Sequence, residues 1–325
     1  MQLPTDRRLH LLLSPPDERA GAAGTSIRWD RPRRSGVARA KGCATLNPRD
    51  VSRGLAAART VASSLGLAVD DAVVLHSSNA LTLLLTPCDV VARVAPQSDQ
   101  VAAFEVEIAR RLAESGSPVA RLAPHLEPRV HELGGFVVTL WTYYPPVRNR
   151  EVAPAEYAHA MRGLHTGMRE LEIQAPRFTD RVDQARDLLA TRDRTPGLPH
   201  DDRQLLDGTL ARLTRRIDTR RGAEQLLHGE PHPGNLLSTQ DGPLFIDFET
   251  CCRGPVEFDL AHAPEAVAEH YPGIDRALLR TSRMLMLAMV TTWRWDADDR
   301  LPDGRRRGAE WLDQLRAMLR HDEHA

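Results

Sequence analysis

Apolar positions along this chain change period twice. Over residues 51–65, Leu55, Ala58, Ala62 and Leu65 fall on one helical stripe, which Gly66 ends. Short β-rich runs follow at 73–75, 80–85 and 90–94, parted by Ser77-Ser78-Asn79 and by Pro87-Cys88-Asp89. That spacing predicts an antiparallel meander. Helical spacing returns over 101–115 through Phe104, Ile108 and Leu112 and stops at Gly116. Further strands are predicted at 119–122, 129–133 and 136–141, with a Gly134-Gly135 turn between the last two.

Pro145-Pro146 marks a boundary, and beyond it the period is helical at 154–171, 181–191, 201–220, 264–269 and 274–295. Strands first and helices afterwards give an α+β plan. It would have two lobes, a small antiparallel-sheet lobe at 49–143 and a larger, mainly helical one at 144–325. The 325 residues suffice for two cores. Residues 1–48 show no period, carry Pro15-Pro16 and Arg31-Pro32-Arg33-Arg34, and are expected to be a disordered leader.

Charge sharpens this division. The net charge is -1, yet residues 1–60 hold twelve Arg or Lys against five Asp or Glu. The basic stretch has no aromatic interleaving apart from Trp29 and no amphipathic period, so neither nucleic acid nor a membrane is expected as a partner. No signal-peptide pattern opens the chain, and the most apolar stretch, residues 284–290, is too short to span a bilayer. Cys43, Cys88, Cys251 and Cys252 lack the spacing of a metal site, and a cytoplasmic location with reduced thiols is expected. Lys41 is the only lysine among 43 basic residues, so any phosphate-gripping side chain in the folded body must be Arg.

The chemistry concentrates in His228-Gly229-Glu230-Pro231-His232-Pro233-Gly234-Asn235 and, shortly after, Leu244-Phe245-Ile246-Asp247-Phe248-Glu249. The first segment is too rich in Gly and Pro for a helix interior and reads as a loop. The second reads as an apolar strand that delivers Asp247 at its end. Glu230, the Asn235 amide and Asp247 together offer the hard oxygen donors that Mg²⁺ prefers, beside a candidate base, a set suited to phosphoryl transfer. Glu249 is a further candidate ligand. His228 and His232 enclose a Glu as in some zinc hydrolases, but Gly229, Pro231 and Pro233 preclude the helix that such a site needs.

With Asp259-Leu260-Ala261 some ten residues on, these segments resemble the aminoglycoside phosphotransferase and choline kinase superfamily, a relative of the protein kinases. Its members carry His-Gly-Asp-x-His-x-x-Asn, then Ile-Asp-[Phe/Trp]-[Glu/Asp], then Asp-Leu-Ala. Glu230 stands where that family has its catalytic Asp. The resemblance implies a protein-kinase-like fold and transfer of the γ-phosphate of ATP or GTP, with Mg²⁺, to a hydroxyl of a small metabolite or antibiotic. It makes Glu230 the base, Asn235 and Asp247 metal ligands, and His228, His232 and Asp259 anchors of the loop.

In Val91-Ala92-Arg93-Val94, Arg93 takes the place of the phosphate-contacting strand Lys of protein kinases, and Glu105, on the inward stripe with Ile108 and Leu112, would orient it. Ser78 and Asn79 would form the turn over the phosphates, and Leu140 and Thr142 would offer backbone groups to the base. Glu265, Glu269, Asp296, Asp298 and Asp299 make one C-terminal region acidic, which would suit a cationic acceptor. The alternative is a nucleotide-binding pseudokinase, silenced by the change from Asp to Glu230.

Overall fold

The computed structural model describes residues 46–77, 80–97, 101–145, 147, 151–220, 224–299, 301 and 303–323. Nearly all of the expected leader, residues 1–45, therefore lies outside the described residues. The rest forms two compact units, one made of residues 46–167 with 233–250 and the other of 168–232 with 251–323.

In the first unit, helix α1 (Pro48–Ser64) opens at Asn47, whose side chain accepts the amides of Arg49 and Asp50. Its small-residue face, Gly54, Ala57, Ala58, Val61 and Ala62, is buried. An added Cβ at Gly54 would lie 2.9 Å from Leu81, so the glycine is what lets the helix lie against the sheet. The strands are β1 (Val69–Ser77), β2 (Leu81–Pro87), β3 (Val90–Pro96), β4 (His131–Leu133) and β5 (Phe136–Thr142). They form one sheet in the order β1-β2-β3-β5-β4, with every pairing antiparallel. Leu81, Leu83 and Leu85 of β2 and Ala92 and Val94 of β3 fill a core with the α1 face. Alternation then turns Arg93 to the opposite face of the sheet.

Helix α2 (Ala102–Glu114) buries Glu105 together with Val106, Ile108, Ala109 and Leu112. The strand expected at 119–122 is reduced to two isolated bridges, Val119 with Phe245 and Leu122 with Trp141. Phe245 belongs to a hairpin of β7 (Leu236–Thr239) and β8 (Gly242–Phe245). Its amide donates to the Pro118 carbonyl and its carbonyl accepts from Ala120, both at 2.9 Å. These bonds explain why a hairpin so late in the sequence joins the unit of the five-stranded sheet, a unit that runs on to Gly167. Helix α3 (Pro154–Arg169) packs Tyr157 on Phe245, with ring centroids 5.9 Å apart.

The second unit is mainly helical: α4 (Phe178–Ala190), α5 (His200–Thr219), a short α6 (Val256–Leu260), α7 (Arg276–Trp293) and α8 (Gly304–Glu323). Its two strands, β6 (Gln225–Leu227) and β9 (Cys252–Gly254), pair antiparallel. Helix α7 starts at Asp275, which caps the amides of Ala277 and Leu278, and is buried on almost every side. No described helix is long and apolar enough to cross a membrane. Two details differ from expectation. Residues Glu265–Glu269 form a 3-10 turn rather than an α-helix. Helix α8 was not foreseen, although Leu312, Leu315 and Leu319 recur at helical spacing and are buried.

Phe245 is fully buried two residues before Asp247. Phe245→Ala should cost about 3–5 kcal/mol through the cavity it leaves. Urea unfolding of the variant checks this; a loss below 1 kcal/mol would show that Phe245 does not clamp the segment.

Candidate functional site

In the first unit, the centre of β3 sends the guanidinium of Arg93 to three carboxylates. Nη1 donates to Glu105 of α2 at 2.9 Å and to Asp247 at 2.9 Å, and Nη2 donates to Glu249 at 2.7 Å. Glu107, two residues on and on the other side of the helix, pairs instead with Arg110 and Arg111. The Arg93 side chain is 20% exposed, Glu105 4% and Glu249 6%. Burial works against the charge on Arg93, but Asp247, Glu105 and Glu249 outweigh it and hold the guanidinium's pKa well above its ordinary value.

Local backbone geometry delivers the acids. Asp247 has φ +68°, a left-handed conformation that Asp tolerates better than most residues and that turns the chain sharply after β8. Glu249 follows in a one-turn 3-10 helix, Phe248–Thr250. Asn235 ends another such turn, Pro233–Asn235, and is nearly buried. Its carbonyl accepts the Ile246 amide at 3.1 Å, extending the register that sets Leu236 opposite Phe245. Asn235 therefore lies across from Ile246, immediately before Asp247.

Among the described residues no group of three or more His, Cys, Asp or Glu side chains is disposed to hold a metal ion. The Asn235 amide and the Asp247 carboxylate, which flank the β7–β8 hairpin, are donor types that Mg²⁺ takes alongside waters and phosphate oxygens. The surplus of carboxylates around Arg93 favours a divalent cation in the same way.

Other expectations meet a different outcome. Ser78 and Asn79 lie outside the described residues. The Leu140 carbonyl accepts the Ala123 amide and the Thr142 amide donates to the Arg121 carbonyl, both at 2.9 Å. Both groups take part in closing the sheet, which engages the single hydrogen of the Thr142 amide and leaves the Leu140 carbonyl a second lone pair. Segment 121–123 takes that edge of β5, a pairing that the expected strand at 119–122 had foreshadowed only in position.

In the second unit the loop after β6 is fixed from below by Asp259. Its carboxylate, fully buried, accepts the His228 amide at 2.9 Å and the Gly229 amide at 2.8 Å. Gly229 has φ +89°, which needs glycine. The Glu230 amide points at His228 Nδ1, 3.4 Å away, and the His232 amide donates to the Glu230 carbonyl at 2.8 Å. The Glu230 side chain is buried and bonded to Arg181 of α4. Arg181 was missed in the sequence. It sits on the helix stripe of Phe178, Val182, Ala185 and Leu189, and a charge at an apolar position was the available signal.

Beside this loop His262 is buried, its ring 5.4 Å from that of Phe258. Burial first, and then the charge of Arg181, push its pKa well below 6.5. Burial likewise pushes up the Cys252 thiol, which leaves it unreactive. Three members of the acidic C-terminal region are already matched: Glu265 to Arg283, Asp296 to Arg194 and Asp299 to Arg294.

The profile of a family described as phosphotransferase enzyme family, APH, matches residues 76–297. The chain belongs to the phosphotransferase enzyme family. Solved structures with the same fold include the amicoumacin kinase hAmiN in complex with AMP-PNP, Ca²⁺ and Ami, with a TM-score of 0.64 at 12% identity, covering 83% of this chain and 96% of that one. Another is APH(2")-IIia with GDP and kanamycin, at 0.59 and 13%, covering 83% and 99%. A choline/ethanolamine kinase family protein from Mesorhizobium loti aligns at 0.57 and 16%, covering 83% and 94%. Comparison with curated proteins finds no match. Nothing in these comparisons supports the pseudokinase alternative for this phosphotransferase family member.

Two outcomes are expected here. Arg93→Met removes a guanidinium from among three carboxylates and should cost about 3 kcal/mol, with added Mg²⁺ restoring part of the loss in thermal melts. An unchanged melting temperature would contradict the arrangement. For His262, a folded pKa below the unfolded value makes its contribution to stability complete above pH 6.5 and lost as pH falls below that value. His262→Gln should flatten the stability slope between about pH 6.5 and 5 by up to about 1.4 kcal/mol per pH unit. A slope identical to wild type in urea midpoints would refute this.

Proposed function

We propose that this chain transfers the γ-phosphate of ATP or GTP to a hydroxyl of a small molecule, with Mg²⁺ as the metal. The observation that carries the reading is the Arg93 cluster within a chain of the phosphotransferase enzyme family. Its members come from the middle of a sheet, the start of a helix and the turn after a hairpin, and they share one guanidinium.

In this reading Arg93 binds the α- and β-phosphates, since a guanidinium pairs well with phosphate oxygens and cannot lose its proton near neutral pH. Glu105 and Glu249 keep Arg93 oriented. Asn235 and Asp247 would hold the metal, whose contribution is to neutralise charge on the transferring phosphoryl group. The conformation of Asp247, fixed by the clamped Phe245, keeps its carboxylate at the end of β8. Glu230, five residues before Asn235 in the same loop, would accept or orient the proton of the acceptor hydroxyl. Phosphoryl transfer passes through a loose transition state, so orientation contributes more than base strength.

The acceptor is a hydroxyl-bearing small molecule. Arginine pairing of Glu265, Asp296 and Asp299 removes most of the argument for a cationic one. In this reading the second lone pair of the Leu140 carbonyl would face the base, while the Thr142 amide is engaged with Arg121.

Release of ADP or GDP from the full chain with Mg·ATP or Mg·GTP, over an acceptor panel that includes kanamycin, choline and neutral sugars, tests the reading. Wild type should turn over at least one acceptor. Asp247→Asn and Glu230→Ala should each lower kcat by on the order of 10²-fold. No release above the uncatalysed rate with either nucleotide across the panel would overturn it.

A further inference from the structure

Arg181 is among the largest side chains in this protein with no solvent exposure. A guanidinium out of water is costly unless its surroundings are built for it. Here they are. Nη2 donates to Glu230 Oε1, Nη1 donates to the Gly229 carbonyl at 3.2 Å, and the group lies 5.2 Å from the centre of the Trp293 ring. Two of these contacts are with consecutive residues of the Glu230 loop, and the third is with an aromatic ring of α7. The buried charge therefore sets both the backbone and the side chain of that loop at one point.

Length decides which acid can meet it. An Asp at position 230 would hold its carboxylate about 1.5 Å, one C–C bond, nearer the backbone. It would fall short of Arg181 and leave the guanidinium buried without that carboxylate. Glu is thus what this loop needs, given Arg181 beneath it.

We propose that Arg181 is a positioning residue: it orients the Glu230 carboxylate for phosphoryl transfer, and the two form a matched pair in which the Arg makes the longer acid the fitting one. This rests on the reading that Glu230 acts on the acceptor hydroxyl. Arg181 itself touches neither nucleotide nor acceptor in this account. Its influence is on kcat, because a misplacement near 1 Å at a reacting group can cost on the order of 10²-fold.

The test uses the full chain with Mg·ATP and Mg·GTP and the best acceptor of the panel, with steady-state kinetics and thermal melts for Arg181→Met, Arg181→Lys, Glu230→Gln and Glu230→Asp. Expected is a kcat about 10- to 100-fold lower for Arg181→Met, with nucleotide KM within about twofold of wild type. Arg181→Lys, which keeps the charge, should recover part of it. Glu230→Asp should lower kcat and melting temperature together. Should Arg181→Met not fold, Arg181→Lys and Glu230→Asp still decide. Wild-type kcat in a folded Arg181 variant, alongside a slow Glu230→Gln, would overturn the pairing and leave Glu230 as the base. A Glu230→Asp protein that is faster or more stable than wild type would overturn it too. Full turnover by Glu230→Gln would instead remove the base assignment, and the positioning role with it.

Discussion

Arg93 is where the sequence-distant parts of the first unit are electrically joined. Its guanidinium leaves the middle of β3 and meets Glu105 from α2, Asp247 from the end of β8 and Glu249 from the turn that follows. A carboxylate buried as deeply as Glu105 or Glu249 has to be matched by charge or hydrogen bonds, and a strand arginine is a reach long enough to match several at once. The late hairpin is drawn into the company of the sheet by its backbone bonds at Pro118 and Ala120 and by this ion-pair cluster. Carboxylates outnumber the guanidinium three to one in this cluster.

The second unit uses the same economy of buried charge differently. Asp259 spends its carboxylate on two backbone amides, which fixes the start of the loop, and Arg181 takes the Glu230 side chain and the Gly229 carbonyl, which fixes its middle. Positive φ angles at Gly229 and Asp247 mark where each segment bends. Glycine takes such a φ without strain, whereas at Asp247 it persists only where surrounding contacts over-determine the backbone, and the clamped Phe245 supplies them.

Much of this was legible in residue order. Period-two and period-3.6 runs located most of the elements, and the Arg93–Glu105 pair follows from placing Glu105 on the stripe of Ile108 and Leu112. What could not be read was long-range. The bridge of Val119 to Phe245 joins positions more than a hundred residues apart, so the hairpin's membership of the first unit has no local signature. The bonds of the Leu140 carbonyl and the Thr142 amide to segment 121–123 have no local signature either, since nothing in residue order places that segment beside β5. Arg181 carried a signal, a charge on an apolar stripe, but its partner lies 49 residues on in the loop. Helix α8 was hidden by its run of arginines, despite three leucines at helical spacing.

If the chain works as proposed, the carboxylate-rich setting of Arg93 would make nucleotide binding depend on a divalent cation. Titration calorimetry of ATP and GTP into the full chain, in Mg²⁺ and in EDTA, measures this directly. Binding should be at least about tenfold tighter with Mg²⁺, with most of that difference lost in Asp247→Asn. Equal affinity in EDTA, or an Asp247→Asn protein that keeps the full Mg²⁺ dependence, would contradict it.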